Sequence, residues 1–243
     1  MKLIKLNAID STNSFLKELC RDYVLENFTV VVADEQTNGR GQQSKTWESE
    51  PFKNLTASIF ATELHLDIID VKYLNFTASL AVYDLLIDYN IPDISIKWPN
   101  DIMSGNKKLC GILIDNRIKN QEINSCIIGF GLNVNQEKFP DYLENATSFK
   151  NLTSLNYNLD DVLTALVGKM ENRIQQLTLK NFSKLEQDYL DVLYRIETPS
   201  LFKDKNGVLF MGIIIGISDI GNLLVEIEGE TIAEFGIKEI SFV

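Results

Sequence analysis

A long polar stretch lies between two runs of residues that have the composition of buried β-strands. The runs are FTVVVA (Phe28 to Ala33) and LTASIFA (Leu55 to Ala61), and the stretch from Gln36 to Asn54 reads QTNGRGQQSKTWESEPFKN. Connections longer than about 12 to 15 residues without secondary structure are uncommon in compact domains and are mostly functional or disordered. The fold must therefore join two strands through a large polar loop, and that loop is the first candidate for a site.

The polar loop contains residue types that suit an anionic ligand with a flat ring. Gly39 and Gly41 let backbone N–H groups approach an anion closely, while Arg40 and Lys45 add charge and donors. Trp47 offers a face on which a nucleobase can stack. The glycine spacing falls short of a Rossmann fingerprint, and the sequence contains no P-loop motif. A flexible surface loop has a similar composition, so composition alone leaves both interpretations open.

The pattern of the first half of the chain predicts an opening strand and two helices. One helix precedes the polar loop and its two flanking strands, and the other follows them. An opening strand near residues 3–6 precedes a helix whose N-cap lies within residues 10–12. A longer helix has apolar residues at three- and four-residue spacing from Leu74 to Leu86 and ends before Pro92.

The second half predicts an antiparallel meander, two helices and a separate β tail. From Ile94 the apolar period is two, and three strands are expected with turns at Ser104–Asn106 and Arg117–Glu122. Two helices follow, the second running to about Tyr194. Beyond Pro199, short apolar runs alternate with turn signals, which predicts a small β-barrel packed on the main domain. The meander is antiparallel and is not a chain of βαβ units.

Composition and charge exclude several classes of function. The formal net charge of −11 disfavours broad nucleic-acid binding, which needs a surface of Lys and Arg. No window approaches 18 uninterrupted apolar residues and no cleavable leader precedes the first strand, so we expect a cytoplasmic protein without membrane contact. Cys20, Cys110 and Cys126 lack metal-finger spacing, so they are interpreted as buried apolar residues, and no protein metal site is predicted.

Two further motifs carry polar residues at strand ends. KWPND (Lys97 to Asp101) is followed across one turn by KKLCGIL, which brings Lys107 and Lys108 near the motif. GFGLNVN ends an apolar strand with Asn133 and Asn135, which could read a ring edge or begin a turn. Lysines in hairpins are usually solvated, and each motif is a weak signal when it is taken alone.

Together these motifs resemble the biotin protein ligases, also called biotin-[acetyl-CoA carboxylase] ligases, along nearly the whole chain. The matching pieces, in chain order, are DSTN, QTNGRGQ with its following W, NLTASI, KWPND, KKLCGIL, GFGLNVN and the tail MGIIIGISDIGNLLVEI with IKEISF. KWPND followed by a K-L-x-G-I-L strand is highly specific to that family.

The resemblance implies an α+β fold and a two-step reaction. It implies a catalytic domain related to class II aminoacyl-tRNA synthetases over residues 1–198, with a mainly antiparallel sheet, and an SH3-like barrel over residues 199–243. Such ligases join biotin and ATP, with Mg²⁺, into biotinyl-5′-AMP and pyrophosphate. They then pass biotin to one lysine of a biotin carboxyl carrier protein. Homodimers that form through a sheet edge are common in relatives.

The resemblance also assigns residues to the two ligands. The residues that it places near biotin are Ser11, Thr12, Asn13, Gln36, Gly39 and Gly111. The residues that it places near the adenylate or its base are Arg40, Gly41, Gln42, Trp47 and Asn133, and Asn100 is a further binding residue. Lys108 matches the lysine that bridges the reacting carboxylate and the α-phosphate.

The chemistry of such a reaction accounts for the cations. A carboxylate that attacks an α-phosphate brings two anions together, so the enzyme must supply positioned positive charge. Arg40, Lys97 and Lys108 are the cations in this hypothesis. In the second step the acceptor amine, whose ordinary pKa is about 10.4, must lose a proton before it attacks. Asp101 is the candidate that assists this deprotonation.

The sequence departs from the family pattern in the polar loop. Many members have GRGR where this chain has GRGQ, so Gln42 replaces an arginine that is expected to help hold the adenylate. Gln43 and Ser44 replace a further basic residue and a glycine. Either the loop retains the intermediate weakly, or Lys45 supplies the missing charge. DSTN begins at Asp10, which leaves no room before it for the winged helix-turn-helix that some members carry.

Two other functions are consistent with parts of the sequence. A lipoate or octanoyl ligase belongs to the same superfamily, although KWPND and the GRG loop favour biotin. A non-catalytic, biotin-responsive regulator is disfavoured by the acidic charge. Assays with biotin and lipoate would separate these alternatives.

Overall fold

The computed structural model describes residues 2–42, 45–229 and 231–243. A seven-stranded sheet forms the larger part of the fold. Its strands are β1 (Lys2–Ile9), β2 (Thr29–Gln36), β3 (Leu55–Asp67), β4 (Ile94–Lys97), β5 (Asp101–Ser104), β6 (Lys107–Lys119) and β7 (Glu122–Leu132). The helices are α1 (Thr12–Asp22), α2 (Val71–Asp88), α3 (Phe149–Thr153), α4 (Leu159–Thr178) and α5 (Phe182–Leu190).

The large sheet is mixed, with one parallel pair at its edge. The strand order is β1-β2-β3-β7-β6-β5-β4, and β1 and β2 run parallel because α1 crosses over between them. The other neighbouring pairs are antiparallel. The predicted antiparallel sheet is therefore correct from β2 onward, while the opening of the chain forms one βαβ unit.

The segment expected to be one strand from Ile94 to the turn at Ser104 is a hairpin. Ile96 pairs with Ile102 across it, and residues 98–100 form the turn between β4 and β5. Pro99 has no N–H to donate to a ladder, and the Trp98–Pro99 peptide bond is cis. The expectation of three strands was wrong because the WPN turn signal was not recognised, and the chain forms four.

Helix α5 ends earlier than predicted. It stops at Leu190, because the following residues pair with the free edge of β4. Ile96 N–H donates to Val192 C=O, and Tyr194 N–H donates to Ile96 C=O, both at 2.8 Å. Backbone pairing with a strand that lies far away in sequence therefore replaces the last helical turn.

Three helices cover the large sheet and form its core. The apolar stripe predicted for α4 is buried along its whole length, at Val162, Leu163, Leu166, Val167, Met170, Ile174 and Leu177. Helix α2 packs on both α4 and α5 and ends at Asp88, before Pro92 as expected. Cys20, Cys110 and Cys126 are buried free thiols, and burial raises the pKa of Cys110 and Cys126.

The C-terminal segment forms a second sheet of five antiparallel strands. They are β8 (Pro199–Asp204), β9 (Leu209–Ile217), β10 (Leu223–Ile227), β11 (Thr231–Phe235) and β12 (Ile240–Phe242), in the order β11-β10-β9-β8-β12. Phe202, Ile214 and Val225 belong to the same buried cluster as the core of the large sheet. The second sheet therefore packs on the first, as the tail was expected to do.

Side chains from the larger part of the fold reach the backbone of the second sheet. Trp98 Nε1 donates to Gly221 C=O at 3.0 Å. Lys72, which is 6% exposed, donates to Glu186 at 2.9 Å and to Ser218 C=O at 3.3 Å. The loop between β9 and β10 is thus bonded to α2 and to the WPN turn. Within the described residues, every helix is too short or too polar to span a bilayer.

Candidate active site

A small cavity lies where the N-terminus of α1, the end of β2 and the polar loop meet β6 and β7. Its volume is about 50 Å³. Eleven of its lining residues were predicted from the sequence: Ser11, Thr12, Asn13, Gln36, Arg40, Gly41, Gln42, Trp47, Asn100, Lys108 and Gly111. The other lining residues are apolar or glycine residues of β6 and β7: Ile112, Leu113, Gly129, Phe130 and Gly131.

A network of buried polar groups holds the first turn of α1 against the sheet. The Thr12 N–H donates to Gln36 Oε1 at 2.8 Å, and the Thr12 hydroxyl contacts the same oxygen at 3.1 Å. Ser58 on β3 contacts the Thr12 hydroxyl at 2.7 Å and donates to Asn13 Oδ1 at 2.5 Å. Asn13 Nδ2 donates to Asp115 at 3.0 Å. The neutral side chains of Thr12, Asn13 and Gln36 are therefore fixed at the cavity wall, with Asp115 behind Asn13.

Ser11 starts α1 where the sequence predicted its cap. The backbone of Ser11 is extended, and its hydroxyl accepts from Ser14 N–H at 3.4 Å. The Ser11 N–H in turn donates to Asp10 Oδ1 at 2.6 Å. The cap orients the helix so that the following polar side chains face the sheet.

Three glycines allow side chains to approach the strands closely. A Cβ on Gly129 would lie 2.3 Å from Asn13 Oδ1, and a Cβ on Gly131 would lie 2.2 Å from Trp47 Cε2. A Cβ on Gly111 would lie 3.0 Å from Trp47 Cζ3 and 3.3 Å from Lys108 Nζ. Glycine is therefore required at Gly129 and Gly131 for the polar network and the indole to occupy these positions.

Trp47 lies over the glycines and lines the cavity. Its Nε1 is buried and has no hydrogen-bond partner among the described residues. An unpaired buried donor costs about 1 to 3 kcal/mol. A backbone hydrogen bond fixes the position of Trp47, because its main-chain N–H donates to Gly39 C=O at 2.9 Å. The loop thus presents an unsatisfied donor at the cavity.

Lys108 and Asp101 form an ion pair at the mouth of the cavity. Lys108 Nζ lies 2.6 Å from Asp101 Oδ1 and 5.6 Å from the centroid of the Trp47 ring. A β-bulge in β6 interrupts the register, so that Lys108 lies opposite Met103 while Cys110 lies opposite Ile102. Bulges of this kind re-aim side chains near sites. Lys107, the neighbour of Lys108, is exposed.

A second, larger cleft continues from the cavity toward the C-terminal sheet. Its volume is about 460 Å³, and it shares Gly41, Gln42, Trp47, Asn100 and Lys108 with the smaller cavity. It adds the cations Lys45, Lys97 and Lys238, the carboxylate of Asp101, and aromatic and apolar residues of the second sheet, including Phe202, Leu223 and Phe242. Burial lowers the pKa of Lys97, which the neighbouring Asp101 partly offsets.

The remaining predicted residues lie at the edges of this arrangement. Arg40 is exposed and its Nη1 is 3.4 Å from the Ser14 hydroxyl. Gly39 lines neither cavity, but its C=O holds Trp47, and a Cβ there would lie 2.3 Å from Trp47 C=O. Asn133 is buried and lines neither cavity. The substitutions at Gln43 and Ser44 lie outside the described residues.

A cation that enters with a nucleotide fits the larger cleft. Mg²⁺ bound with ATP commonly takes one or two carboxylates, phosphate oxygens and water. Asp101 is the carboxylate among the described residues that line the cleft. Over the described part of the chain, three or more His, Cys, Asp or Glu side chains do not converge in a cluster that could hold a metal by themselves.

Sequence reasoning missed several residues of the site. Ser58 and Asp115 complete the polar network, and Gly129 and Gly131 form part of the floor. The alternation GFG in the motif at the end of β7 was the available signal for the glycines. Ser58 and Asp115 lie on ordinary strands, and only their contacts across the sheet identify them.

The sequence model of the biotin/lipoate A/B protein ligase family matches residues 6–133. These residues include α1, the polar loop, and the strands β4 and β6 that carry Lys97 and Lys108. The chain belongs to this family. Within the ligase family, the chain is 31% identical over 241 residues to the bifunctional ligase/repressor BirA of Bacillus spizizenii, a match that covers 98% of this chain and 71% of that protein. It is 28% identical over 209 residues to the biotin--[acetyl-CoA-carboxylase] ligase of Mycobacterium tuberculosis, covering 84% and 75%.

Solved structures of the ligase family have the same fold. The biotin protein ligase from Aquifex aeolicus in complex with biotin and ATP superimposes with a TM-score of 0.82 at 26% identity. The match covers 100% of this chain and 98% of that chain. The α+β architecture, with one mixed and one antiparallel sheet, is therefore that of the ligase family.

Proposed function

We propose that this protein is a biotin protein ligase of the biotin-[acetyl-CoA-carboxylase] type. It activates biotin with MgATP to biotinyl-5′-AMP and pyrophosphate, and it then transfers biotin to a lysine of a biotin carboxyl carrier protein. The observation that carries the proposal is the position of Lys108 on the wall shared by the two cavities. Membership of the family and the similarity to proteins named as biotin ligases support it.

The side chains that line the smaller cavity suit the chemistry of the bicyclic ring of biotin. The ring carries a neutral urea, and the neutral groups of Thr12, Asn13 and Gln36 can donate to it and accept from it without the cost of burying a charge. Ile112 and Leu113 supply apolar surface for the alkyl chain. The carboxylate at the end of that chain then meets Lys108 at the cavity mouth.

The larger cleft suits ATP. In the first step a carboxylate oxygen of biotin forms a bond to the α-phosphorus, and the bond from that phosphorus to the bridging oxygen of pyrophosphate breaks. Negative charge collects on the phosphoryl oxygens and on the leaving group, and Lys97, Lys108 and Arg40 lower its energy. Trp47 provides a face for the adenine, and Mg²⁺ enters with the nucleotide as part of the substrate.

Trp47 must move when biotin enters. A cavity of about 50 Å³ is smaller than a bicyclic ligand, and the indole fills the space above Gly111 and Gly131. Displacement also relieves the unpaired indole N–H, which gains solvent or a ligand acceptor. The polar loop therefore closes over the adenylate only after the ring has left this position.

The second step requires a base for the acceptor lysine. Asp101 serves this role in the proposal. In the ligand-free protein its carboxylate is paired with Lys108 at 2.6 Å. When Lys108 turns to the phosphate of the adenylate, Asp101 loses that partner and can accept the proton of the incoming amine.

The finer description of the molecule follows the same family. We propose that residues 1–198 form a catalytic domain related to class II aminoacyl-tRNA synthetases and that residues 199–243 form an SH3-like barrel. We also propose a cytoplasmic enzyme, and its acidic net charge of −11 disfavours broad binding to nucleic acid. A homodimer would use the outer edge of β1, which pairs with no further strand among the described residues.

The first test is ATP–pyrophosphate exchange with and without biotin, with lipoate as the alternative acid. Exchange that depends on biotin is expected. Lys108→Ala removes a cation at the reacting atoms and is expected to lower the exchange rate by about 10² to 10³, the usual cost of one such transition-state contact.

The matched control is Lys107→Ala, which removes the same charge from an exposed neighbour and should leave exchange close to that of the wild type. Circular dichroism establishes that both variants fold. Exchange that requires lipoate instead of biotin would show that the protein is a lipoate ligase. The absence of exchange with either acid would remove the ligase proposal.

A further inference from the structure

Two cations and two aromatic rings form a cluster where the C-terminal sheet meets β4. Lys97 Nζ lies 4.9 Å from the centroid of the Phe242 ring and 5.9 Å from that of the Tyr194 ring. The Arg195 guanidinium lies on the same two rings, 5.2 Å from Tyr194 and 5.8 Å from Phe242. The rings contact each other with centroids 5.3 Å apart. Cations within about 6 Å of a ring centroid are attracted by the quadrupole of the ring.

Lys97 differs from Lys108 in what holds it. Lys108 is paired with Asp101, whereas Lys97 has no carboxylate within 4.0 Å among the described residues. Burial lowers its pKa, and the charges of Lys108, Arg195 and Lys45 lower it further, against the opposite influence of Asp101. A cation in this state carries unsatisfied charge into the larger cleft.

An aromatic face can hold a cation without neutralising it. A carboxylate partner would compete with a phosphate oxygen for the ammonium hydrogens, and a ligand would have to displace it. A ring attracts the charge through its face and leaves hydrogens free on the other side of the ammonium group. The arrangement at Lys97 is therefore suited to a residue that must receive an anion.

The position of Phe242 is determined by the C-terminal sheet. Strand β12 pairs with β8 so that Phe242 lies opposite Phe202, and Val243 N–H donates to Leu201 C=O at 3.2 Å. The Phe242 ring also contacts the fully buried Phe202 ring, with centroids 5.0 Å apart. The second sheet thus places one aromatic face beside Lys97, the first residue of the KWPND motif.

We infer that Phe242 is a positioning residue that holds the Lys97 ammonium in the larger cleft, where it binds a phosphate group of the nucleotide. This inference rests on the proposed function and extends it to the C-terminal sheet. Tyr194 provides the second face, at a longer distance. Phe242 acts through Lys97, so its effect must disappear when Lys97 is absent.

The test is a double-mutant cycle between Phe242→Leu and Lys97→Ala, measured by ATP–pyrophosphate exchange. Leucine keeps an apolar side chain but removes the ring face. Phe242→Leu is expected to raise KM for MgATP about 3- to 30-fold, the range of a partly desolvated cation–π contact, and to change kcat about twofold at most. In the Lys97→Ala background it should have no further effect, and Phe242→Tyr should restore the wild-type KM.

Phe235→Leu is the matched control. Phe235 is a half-buried aromatic residue of the same sheet that stacks on Phe210 and makes no cation–π contact with Lys97. It should leave KM for MgATP unchanged. An increase in KM for Phe242→Leu that persists in the Lys97→Ala background, or that Phe235→Leu reproduces, would overturn the inference and assign Phe242 to packing alone.

A second readout separates this inference from the ligase activity. The NMR signal of the Lys97 ε-methylene group can be assigned by its loss in Lys97→Ala. Its chemical shift includes a ring-current contribution from Phe242. It should move in Phe242→Leu, stay in place in Phe235→Leu, and move when MgATP is added with biotin to the wild type. If the wild type catalyses no exchange, the ligase proposal fails, while this signal still decides the inference. If neither Phe242→Leu nor MgATP changes the chemical shift of the Lys97 signal, the inference is wrong.

Discussion

At the scale of single residues, the absence of side chains is as important as their presence. Gly129 and Gly131 leave the space that Asn13 and Trp47 occupy, and a Cβ at either position would overlap a neighbouring side chain. Neither residue has a positive φ, so the requirement for glycine is steric and not conformational. These strand positions are therefore specialised for close approach.

Gly131→Ala is expected to displace Trp47 and to weaken biotin binding. The new Cβ would lie 2.2 Å from Trp47 Cε2 and would project into the small cavity. The methyl group would occupy space that biotin takes once Trp47 has moved, and overpacking against the bound ligand costs about 1 to 3 kcal/mol, a loss of biotin affinity of about 5- to 150-fold. Isothermal titration calorimetry measures the affinity, and tryptophan fluorescence reports the movement of the indole.

The control for this substitution is Gly168→Ala. Gly168 lies in α4, and a Cβ there meets no atom within 4 Å. This variant should bind biotin as the wild type does and should be slightly more stable, because alanine favours helix. Equal biotin affinity in Gly131→Ala and the wild type would show that the floor of the cavity tolerates a methyl group.

Many of the residues that line the two cavities were predictable, because the sequence motifs contain them. Thr12, Gln36, Trp47 and Lys108 are far apart in sequence and come together at one site. The piece IKEISF contains Phe242 but does not reveal its contact with Lys97, because an aromatic residue near the end of a β tail is indistinguishable from ordinary core until that distance is known.

At the scale of elements, ion pairs join the helices that cover the sheet. Arg173 on α4 donates to Asp84 on α2 at 2.7 and 2.9 Å and to Asp188 on α5 at 2.6 Å. The Arg173 side chain is 12% exposed, and Asp188 is 17% exposed. Lys184 also pairs with Asp188 but is 60% exposed. One largely buried cation therefore links three helices.

Arg173→Met is expected to reduce the free energy of unfolding by about 3 kcal/mol at neutral pH, because it leaves two carboxylates without their buried partner. Lys184→Met removes an exposed cation from the same carboxylate and should cost about 0.5 kcal/mol at most. Urea denaturation of the two variants measures both values. Equal losses would show that Arg173 contributes only surface charge.

The same network predicts a pH dependence. Burial alone would raise the pKa of Asp188, but the hydrogen bonds from Lys184 and Arg173 hold it below its ordinary value. A carboxyl whose pKa is lowered by folding stabilises the protein above its unfolded pKa of about 3.9, and that contribution is lost as the pH falls through the folded value. The difference between wild type and Arg173→Met should therefore shrink below about pH 4.

The ends of elements were harder to predict than their existence. The stripe of α4 follows from local spacing, and every residue of that stripe is buried. The hairpin of β4 and β5 and the early end of α5 depend on pairing between Ile96 and residues 192–194. The elements from β5 to α5 separate these two segments in the sequence, so no local pattern contains the pairing.

At the scale of the whole molecule, the two sheets share one core. Lys72 on α2 fastens the β9–β10 loop through Ser218 C=O and is itself paired with Glu186. It is 6% exposed, so these partners replace the water that its ammonium group loses on burial. The second sheet is thereby fixed in the orientation that brings Phe242 to Lys97.

Lys72→Met is expected to reduce the free energy of unfolding by about 3 kcal/mol, since it leaves Glu186 without its buried partner. Lys180→Met, which removes an exposed lysine 3.9 Å from Asp67, should cost about 0.5 kcal/mol at most. Calorimetry should record one unfolding transition for the wild type, because the buried cluster spans both sheets. Two separate transitions would show that the sheets unfold independently.

The sequence alone determined the kinds of element, the family and the chemistry that the chain carries. Helical and strand periods are local, and KWPND, the GRG loop and GFGLNVN place cations, glycines and a tryptophan within a few residues of one another. Tertiary structure decided which of these groups meet. The pairing of Asp101 with Lys108, the indole above Gly131 and the ring of Phe242 beside Lys97 all arise from packing between distant segments. Contacts of this kind depend on distance in space, which a linear pattern of residues does not encode.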